Sequence, residues 1–344
     1  MADKKVKLFT HDDLDGIGCG VLGEAAYGEN ISIDYCTNSD INTRFRAFVE
    51  SGEYQNYDRI FITDINLDAQ NAALIDSLMA KKTMLLDHHP TAMFLNDYDW
   101  AFVDTTLPGT DIKTSGTELF FKQLEAERAL DWRLPYKEFA ELVRDYDTWR
   151  WTTPEGKGQI CKDYNDLMHL YGKENFAQIV GERLRGGLLE LTETDRILLD
   201  VDRRRRDAYC DAKLQNVMVA QMGPYTCGVV FADTYVNDLA HHVMNHHPEI
   251  DFVAVVDPGG NVALRTKRED LDLGQEIAKP LGGGGHPKAA GFQFDPQKTQ
   301  FLVQDIFRGE EHVHVQTQDG MDQADSIEDG PNQGDDEGPS QVDD

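Results

Sequence analysis

Positive charge is what this sequence has least of. Its 344 residues include 33 Lys and Arg against 62 Asp and Glu, a formal net charge of −29. Twelve of the acidic residues, and no Lys or Arg, fall between Gly309 and Asp344, which leaves 33 basic against 50 acidic groups in the rest of the chain. A body this acidic repels a long polyanion over most of its surface. An anionic substrate must then be held locally, by metal ions and a few cations, which favours small substrates. Cysteine is scarce as well: Cys19, Cys36, Cys161, Cys210 and Cys227 are scattered, with no CxxC pair. That excludes a disulfide scaffold and a thiolate zinc site and points to a reducing compartment. No apolar stretch approaches the ~20 residues of a membrane span. The first five residues run straight into an expected strand and do not read as a signal peptide. The expected location is the cytoplasm, with no membrane partner. At 40% apolar residues, the length suffices for two ordinary domains.

Against these absences one decapeptide stands out, Lys81-Lys82-Thr83-Met84-Leu85-Leu86-Asp87-His88-His89-Pro90. Its apolar half reads as a buried strand of a parallel sheet, and Pro90 stops it. A buried strand that delivers a carboxylate and two imidazoles to its tip needs partners for them, because unpaired buried polar groups cost ~1–3 kcal/mol each. A metal ion is one such partner; a surface turn carrying two histidines is the alternative.

Three further acidic clusters favour the metal. Val6–Thr10 reads as a strand ending in His11-Asp12-Asp13-Leu14-Asp15-Gly16. On extended backbone His11, Asp13 and Asp15 share one face; an acidic helix cap is the competing reading. Ile31–Cys36 and Arg59–Thr63 read as strands, the latter ending in Asp64, which alone could cap the helix expected at Ala69–Met79. Helices are also expected at Gly16–Ala26, Asn42–Val49, Ser115–Leu130 and Pro135–Trp151. The last ends in Asp145-Tyr146-Asp147-Thr148-Trp149-Arg150-Trp151, either a further carboxylate source or a solvated helix end with both tryptophans in the core. Strands alternating with helices imply a doubly wound parallel sheet, in which ligands bind beyond the carboxyl ends of the strands.

From 171 to 215 the chain reads as a charged helical connection containing Arg203–Arg206, more simply a solvated helix face than a phosphate site. A second α/β segment follows, with strands near 217–221, 226–231, 252–256 and 262–266 and a helix at 236–247. His241, His242, His246 and His247 on that helix lack acidic or cysteine partners at ligand spacing. Gly282–Gly285 with His286 and Lys288 forms a loop that lets backbone approach an anion closely. A closing helix is expected at Gln297–Phe307, and beyond Gly309 the composition is that of a disordered tail.

Assembled, these motifs resemble the DHH phosphoesterase superfamily, which includes RecJ exonucleases, nanoRNases and family II pyrophosphatases. The resemblance runs from Lys7 to Phe307 and rests on His11-x-Asp13-x-Asp15, Asp64, Asp87-His88-His89, Asp145-Tyr146-Asp147 and the GGGGH loop, with Arg265 matching an arginine before that loop. The first motif and Tyr146-Asp147-Thr148-Trp149 look most like the NrnB type of oligoribonuclease. The acidic tail has no counterpart. The resemblance implies an α/β fold: an N-terminal doubly wound parallel-sheet DHH domain (1–170), a helical linker (171–215) and a smaller C-terminal α/β substrate-binding domain (216–308), followed by the acidic tail (309–344). It implies two Mn²⁺ ions, with Mg²⁺ or Co²⁺ as substitutes. One would take His11, Asp13 and Asp64, the other Asp15, Asp64, His88 and Asp147. Asp87 would orient an imidazole, His89 would sit near the scissile phosphate, and Arg265, Gly284, Gly285, His286 and Lys288 would grip the substrate. The implied activity is hydrolysis of short RNA or DNA oligonucleotides to mononucleotides. The alternatives are a 3′-phosphoadenosine 5′-phosphate phosphatase, a cyclic-dinucleotide phosphodiesterase, a RecJ-like single-strand exonuclease and a catalytically inactive nucleotide-binding protein. A homodimer is one assembly the sequence allows.

Overall fold

The computed structural model describes residues 4–307 apart from 132 and 296. The acidic segment 309–344, expected as a tail, lies outside the described residues. The chain divides into two compact units, 1–212 and 213–344.

In the first unit strands and helices alternate: β1 (Val6–His11), α1 (Leu14–Tyr27), β2 (Ile31–Cys36), α2 (Ile41–Glu50), β3 (Arg59–Thr63), α3 (Ala69–Leu78), β4 (Thr83–Asp87) and β5 (Ala101–Val103). The sheet is parallel throughout, in the order β2-β1-β3-β4-β5. β1 and β3 are adjacent, with Thr10 opposite Thr63, so the segments that follow them leave the sheet side by side. α2 and α3 cover one face, where Phe9 packs edge-on against Phe45 and Phe48 at 5.4 and 5.1 Å. Fully burying each such ring contributes roughly 1.5–3 kcal/mol.

The other face is covered by α1 and by the helices that follow β5: α4 (Gly116–Ala126), α5 (Tyr136–Asp147), α6 (Gln159–Tyr171) and α7 (Lys173–Arg185). α8 (Glu193–Leu214) follows. α7 places Phe176, Ala177, Val180 and Leu184 in this core and α8 adds Leu199, so the segment read as a connection carries core of the first unit. The arginine run sits on α8, where Arg203 meets Asp163, Arg204 meets Asp200 and Arg206 meets Asp166 at 3.0 Å.

α5 ends at Asp147, four residues short of the expected end at Trp151, because Trp149 turns left-handed at φ 61°. Trp149 is 56% exposed, so it is not the core residue that one reading of this segment required.

The second unit holds a mixed sheet in the order β10-β11-β9-β8-β7-β6. Its elements are β6 (Met218–Met222), β7 (Tyr225–Phe231), α9 (Val236–His246), β8 (Phe252–Val256), β9 (Asn261–Arg265), β10 (Gly284–Gly285), β11 (Ala289–Gln293) and α10 (Gln297–Phe307). Only β7 and β8 pair in parallel, joined through α9; the other pairs are antiparallel. Phe252, Leu264, Leu273 and Ile277 build its core. Among the described residues no helix is long and apolar enough to cross a membrane.

Candidate metal centre

β1, β3 and β4 end at the same edge of the sheet, and that edge gathers the acidic motifs. The first motif does not continue as extended backbone. The strand stops at His11, Asp13 caps α1, and Asp15 belongs to the first helical turn. The face-sharing expected of His11, Asp13 and Asp15 is therefore corrected: the strand-to-helix turn, not strand pleating, aims them, and it sends them to two places. Asp13 serves both readings of its position. Its Oδ1 accepts from the N–H groups of Asp15 and Gly16 at 3.1 Å each, while its Oδ2 lies 2.8 Å from His11 Nδ1. Gly16 makes the turn possible, since a Cβ there would lie 2.0 Å from the His11 carbonyl oxygen.

Asp64 leaves β3 with φ 58°, a conformation that carbonyl-bearing short side chains tolerate better than most. Capping of α3 falls to Asp68, whose side chain accepts from Asn71 N at 2.8 Å, so Asp64 has no such duty. Its carboxyl is 2% exposed and divides its oxygens: Oδ2 lies 3.9 Å from His11 Nδ1, and Oδ1 lies 3.2 Å from His88 Nε2. The same His88 nitrogen is 3.6 Å from Asp15 Oδ2 and 3.6 Å from Asp147 Oδ2. Two groups thus meet the spacing of a metal shell, their ligand atoms within 4.8 Å of one another: His11, Asp13 and Asp64, and Asp15, His88 and Asp147. A third cluster joins Asp64, Asp87, His88 and His89.

The residues present suit divalent cations. His11 Nδ1, Asp64 Oδ2 and Asp87 Oδ2 are buried without a hydrogen-bond partner; the short His11–Asp13 approach lacks hydrogen-bond geometry. Buried acceptors aimed at one another are costly unless a cation lies among them. The mixture of carboxylates and imidazole matches hard to borderline ions such as Mn²⁺.

The electrostatics follow from crowding. Burial, then the charges of Asp15, Asp13 and Asp147, hold the Asp64 carboxyl well above the usual carboxylate range. Burial, then Asp15 and Asp13, do the same to Asp147. Burial would raise Asp13 too, but the 2.8 Å approach and charge of His11 outweigh it and bring it down to about 2. Burial lowers His88, which keeps its lone pair available. His89 is opposite. Burial opposes its charge, yet the 2.7 Å contact of Nδ1 with Asp87 Oδ1 and the Asp87 charge raise it to about 9.

Asp145 and Asp147, left as alternatives by the sequence, part company. Asp145 is tied up by Arg144 at 2.8 Å, Arg150 at 3.5 Å and the N–H of Lys157 at 2.9 Å. Asp147 stands among the ligand candidates.

Sequence reasoning missed the residues that hold Asp15. Its two oxygens accept from the N–H groups of Gly116 at 2.6 Å and Thr117 at 2.8 Å, the first turn of α4, where the helix dipole favours a carboxylate. Gly116 must be glycine: a Cβ would lie 2.4 Å from that of Asp64. The Ser115–Glu118 spacing marked a helix start; nothing local marked its acceptor 101 residues away. Lys173 is a second miss, its Nζ 2.5 Å from Asp12.

The other sequence candidates lie in the second unit. Arg265 ends β9 and donates from Nε to Asn237 Oδ1 at 2.9 Å; Lys288 donates to the Arg268 carbonyl and lies 3.3 Å from Glu269. Gly284 and Gly285 pair with β11, and His286 is exposed beside them.

No protein-family model matches the chain. It is 30% identical over 306 residues to oligoribonuclease NrnB of Bacillus subtilis, covering 88% of this chain and 76% of that protein. It is 22% identical over 349 residues to the 3′,5′-cyclic-nucleotide phosphodiesterase of Helicobacter pylori, covering 88% of this chain and 96% of that protein. Among solved structures, the DHH domain of a protein described as a member of a ribosomal-protein family superposes with a TM-score of 0.54 at 14% identity, covering 88% of this chain and 85% of that one. At that identity the likeness concerns fold alone.

Proposed function

We infer the function from one premise: the chain belongs to the DHH phosphoesterases, as an NrnB-like member, and is a phosphoric ester hydrolase of the nuclease and phosphodiesterase kind. We propose that it hydrolyses short oligonucleotides to mononucleotides with two Mn²⁺ ions. The observation that carries this reading is the Asp64 carboxyl, one oxygen toward His11 and the other toward His88, which suits a bridging ligand. His11 and Asp13 would complete one site; Asp15, His88 and Asp147 would complete the other. When bound, such a pair of cations supplies Lewis acidity that activates water and offsets charge at phosphorus.

The chain's own residues do the rest. The α4 N-terminus holds Asp15 in place by donating the Gly116 and Thr117 N–H groups to its two oxygens. Asp87 occupies Nδ1 of His89, so the imidazolium keeps a proton on Nε2, and the partly exposed ring can offer it to a phosphate oxygen. In the second unit Arg265, Gly284, Gly285, His286 and Lys288 remain the proposed phosphate anchors. Arginine supplies paired contacts to phosphate oxygens. The five cysteines are buried and form no disulfide, which supports a cytoplasmic setting.

The acidic body favours the shortest substrates. A strand-tracking exonuclease uses an extended basic groove, whereas here Arg203, Arg204 and Arg206 of the arginine run are engaged by Asp163, Asp200 and Asp166. The test is a ladder of labelled 2- to 20-mers of RNA and DNA with Mn²⁺ and with EDTA, alongside 3′-phosphoadenosine 5′-phosphate and cyclic dinucleotides. The expected result is hydrolysis lost in EDTA, kcat/KM highest at about two to five nucleotides, and a weak salt slope because few phosphates are neutralised. Equal efficiency on a 20-mer with a steep salt slope replaces this reading with a RecJ-like exonuclease. Binding without hydrolysis leaves a nucleotide-binding protein.

A further inference from the structure

A sheet edge offers unpaired N–H and C=O groups to any strand that meets it, and proteins close such edges with covering groups, charge, proline, bulges or brevity. Among the described residues, three of the four edges of the two sheets are closed in these ways. At β5 the Asn96 amide takes both main-chain groups of Val103: its Nδ2 donates to the carbonyl and its Oδ1 accepts from the N–H, each at 2.8 Å. At β2, Arg44 Nη1 donates to the Tyr35 carbonyl at 2.5 Å, and the strand carries Asp34. β10 is only two residues long.

The fourth edge, β6, has none of these devices. Its sequence, Met-Val-Ala-Gln-Met, holds no charge and no proline. Its register with β7 runs without a bulge from Met218 opposite Val229 to Met222 opposite Tyr225. Every second residue of an antiparallel strand turns its N–H and C=O away from the paired strand. β6 is last in its sheet, and among the described residues no hydrogen bond meets its outward main-chain groups. Met218 and Val219 are 50% and 53% exposed. Charge is absent well beyond the strand itself. No residue between Lys213 and Asp233 is charged, the longest such run in a chain that is 28% charged.

The edge suits one partner in particular. Two copies of so acidic a body repel over most of their surface, so they approach at least cost along an uncharged strip. β6 is also complementary to itself. Run antiparallel about a two-fold axis at its midpoint, it sets Met218 opposite Met222 and Val219 opposite Gln221. Ala220, its smallest side chain, then meets its own copy at the axis.

We propose that β6 is a self-association edge: a second copy of this chain lays its β6 antiparallel against the first, joining two six-stranded sheets into one. Main-chain hydrogen bonds supply the affinity, as in other strand additions. The surface is independent of the substrate that the first unit takes.

The test is sedimentation of the full chain over about 1–200 µM, the range that suits an interface of small area. Wild type is expected to pass from monomer to dimer. Ala220→Glu and Ala220→Lys each place like charges face to face at the axis and should each weaken association at least tenfold. Mixed in equal amounts, the two variants should recover the dimer, which misfolded chains would not do. A second measurement reads the register. Across the axis the Cα atoms of residue 220 would lie about 4.5 Å apart, within disulfide reach. Under mild oxidation Ala220→Cys should cross-link into dimers at least tenfold faster than Val219→Cys, which its own copy does not face; the five native cysteines are buried. A wild type that stays monomeric throughout, single variants that associate like wild type, a mixture that stays monomeric, or equal cross-linking at 219 and 220 overturns the proposal. Association seen only after truncation at Arg308 also overturns it, since the edge would then be covered in the full chain by its own segment 309–344.

Discussion

Replacing Asp64 by Asn should stabilise the metal-free protein while abolishing hydrolysis. Asp64 and Asp13 carry ligand oxygens within 4.8 Å of each other, and Asp15 and Asp147 are similarly close. At an effective dielectric of ~20, two full charges at that separation repel by about 3 kcal/mol. Partial protonation relieves some of this, because the Asp64 and Asp147 carboxyls are both held high. A net gain of about 1–3 kcal/mol remains for the neutral amide. Asn is also among the side chains that best tolerate the φ of 58° at this position, so the substitution adds no backbone strain. In a 212-residue unit each kcal/mol moves Tm by roughly 2–4 °C, so Asp64→Asn should melt about 2–12 °C higher in chelator. The sign with pH follows from the raised pKa. Folding favours the protonated carboxyl, so this contribution is complete below the unfolded value near 3.8 and is lost as pH rises through the folded value. Wild-type Tm in chelator should therefore fall over that range more steeply than that of the variant. Asp87→Asn is the control. Asp87 Oδ1 accepts from His88 N at 2.8 Å and His89 Nδ1 at 2.7 Å, bonds to an imidazolium that loses its counter-charge, so this variant should be destabilised by about 1–3 kcal/mol. Differential scanning fluorimetry in EDTA, with and without added Mn²⁺, reads all of this. A lower Tm for Asp64→Asn in EDTA, or an undiminished thermal shift on adding Mn²⁺, refutes the account of Asp64 as a shared ligand in a repulsive cluster.

Three other outcomes are expected. Gly116→Ala drives a methyl to 2.4 Å from the Asp64 Cβ and disturbs the N–H groups on Asp15, so kcat should fall at least about 100-fold while urea stability falls by only about 1–3 kcal/mol; near-normal turnover contradicts the role given to α4. Asp195→Asn removes a carboxylate that Arg183 at 2.7 Å, Tyr171 and Thr192 hold down to about 2. Its contribution of about 2 kcal/mol is present above pH 4 and lost toward pH 2, so in urea the variant should lose stability at pH 7 and converge on wild type in acid. Truncation after Arg308 removes 12 acidic groups and no Lys or Arg, and should leave kcat on a dinucleotide unchanged; loss of activity in a folded truncate would make the acidic segment part of the site.

The sequence by itself determined the alternation of strands and helices in the first unit, because short apolar runs bounded by turns and amphipathic segments are local patterns. It also marked the strand ends that carry His11, Asp64 and Asp87-His88-His89, since a polar cluster after a buried run is conspicuous in one dimension. Only the tertiary structure decided how those groups divide. That β1 and β3 are neighbours, and that Asp64 turns left-handed at the end of β3, sets one oxygen toward His11 and the other toward His88. The choice of Asp147 over Asp145 turned on Arg144 and Arg150 claiming the latter, a pairing set by how α5 ends. The hold on Asp15 came from a helix 101 residues further along, and Lys173 reached Asp12 from a segment read as a connection. Spacing along a chain records which groups are near in sequence; backbone donors of a distant helix, and the charges that neutralise one carboxylate and leave another free for a ligand, become neighbours only when the sheet and its covering helices pack.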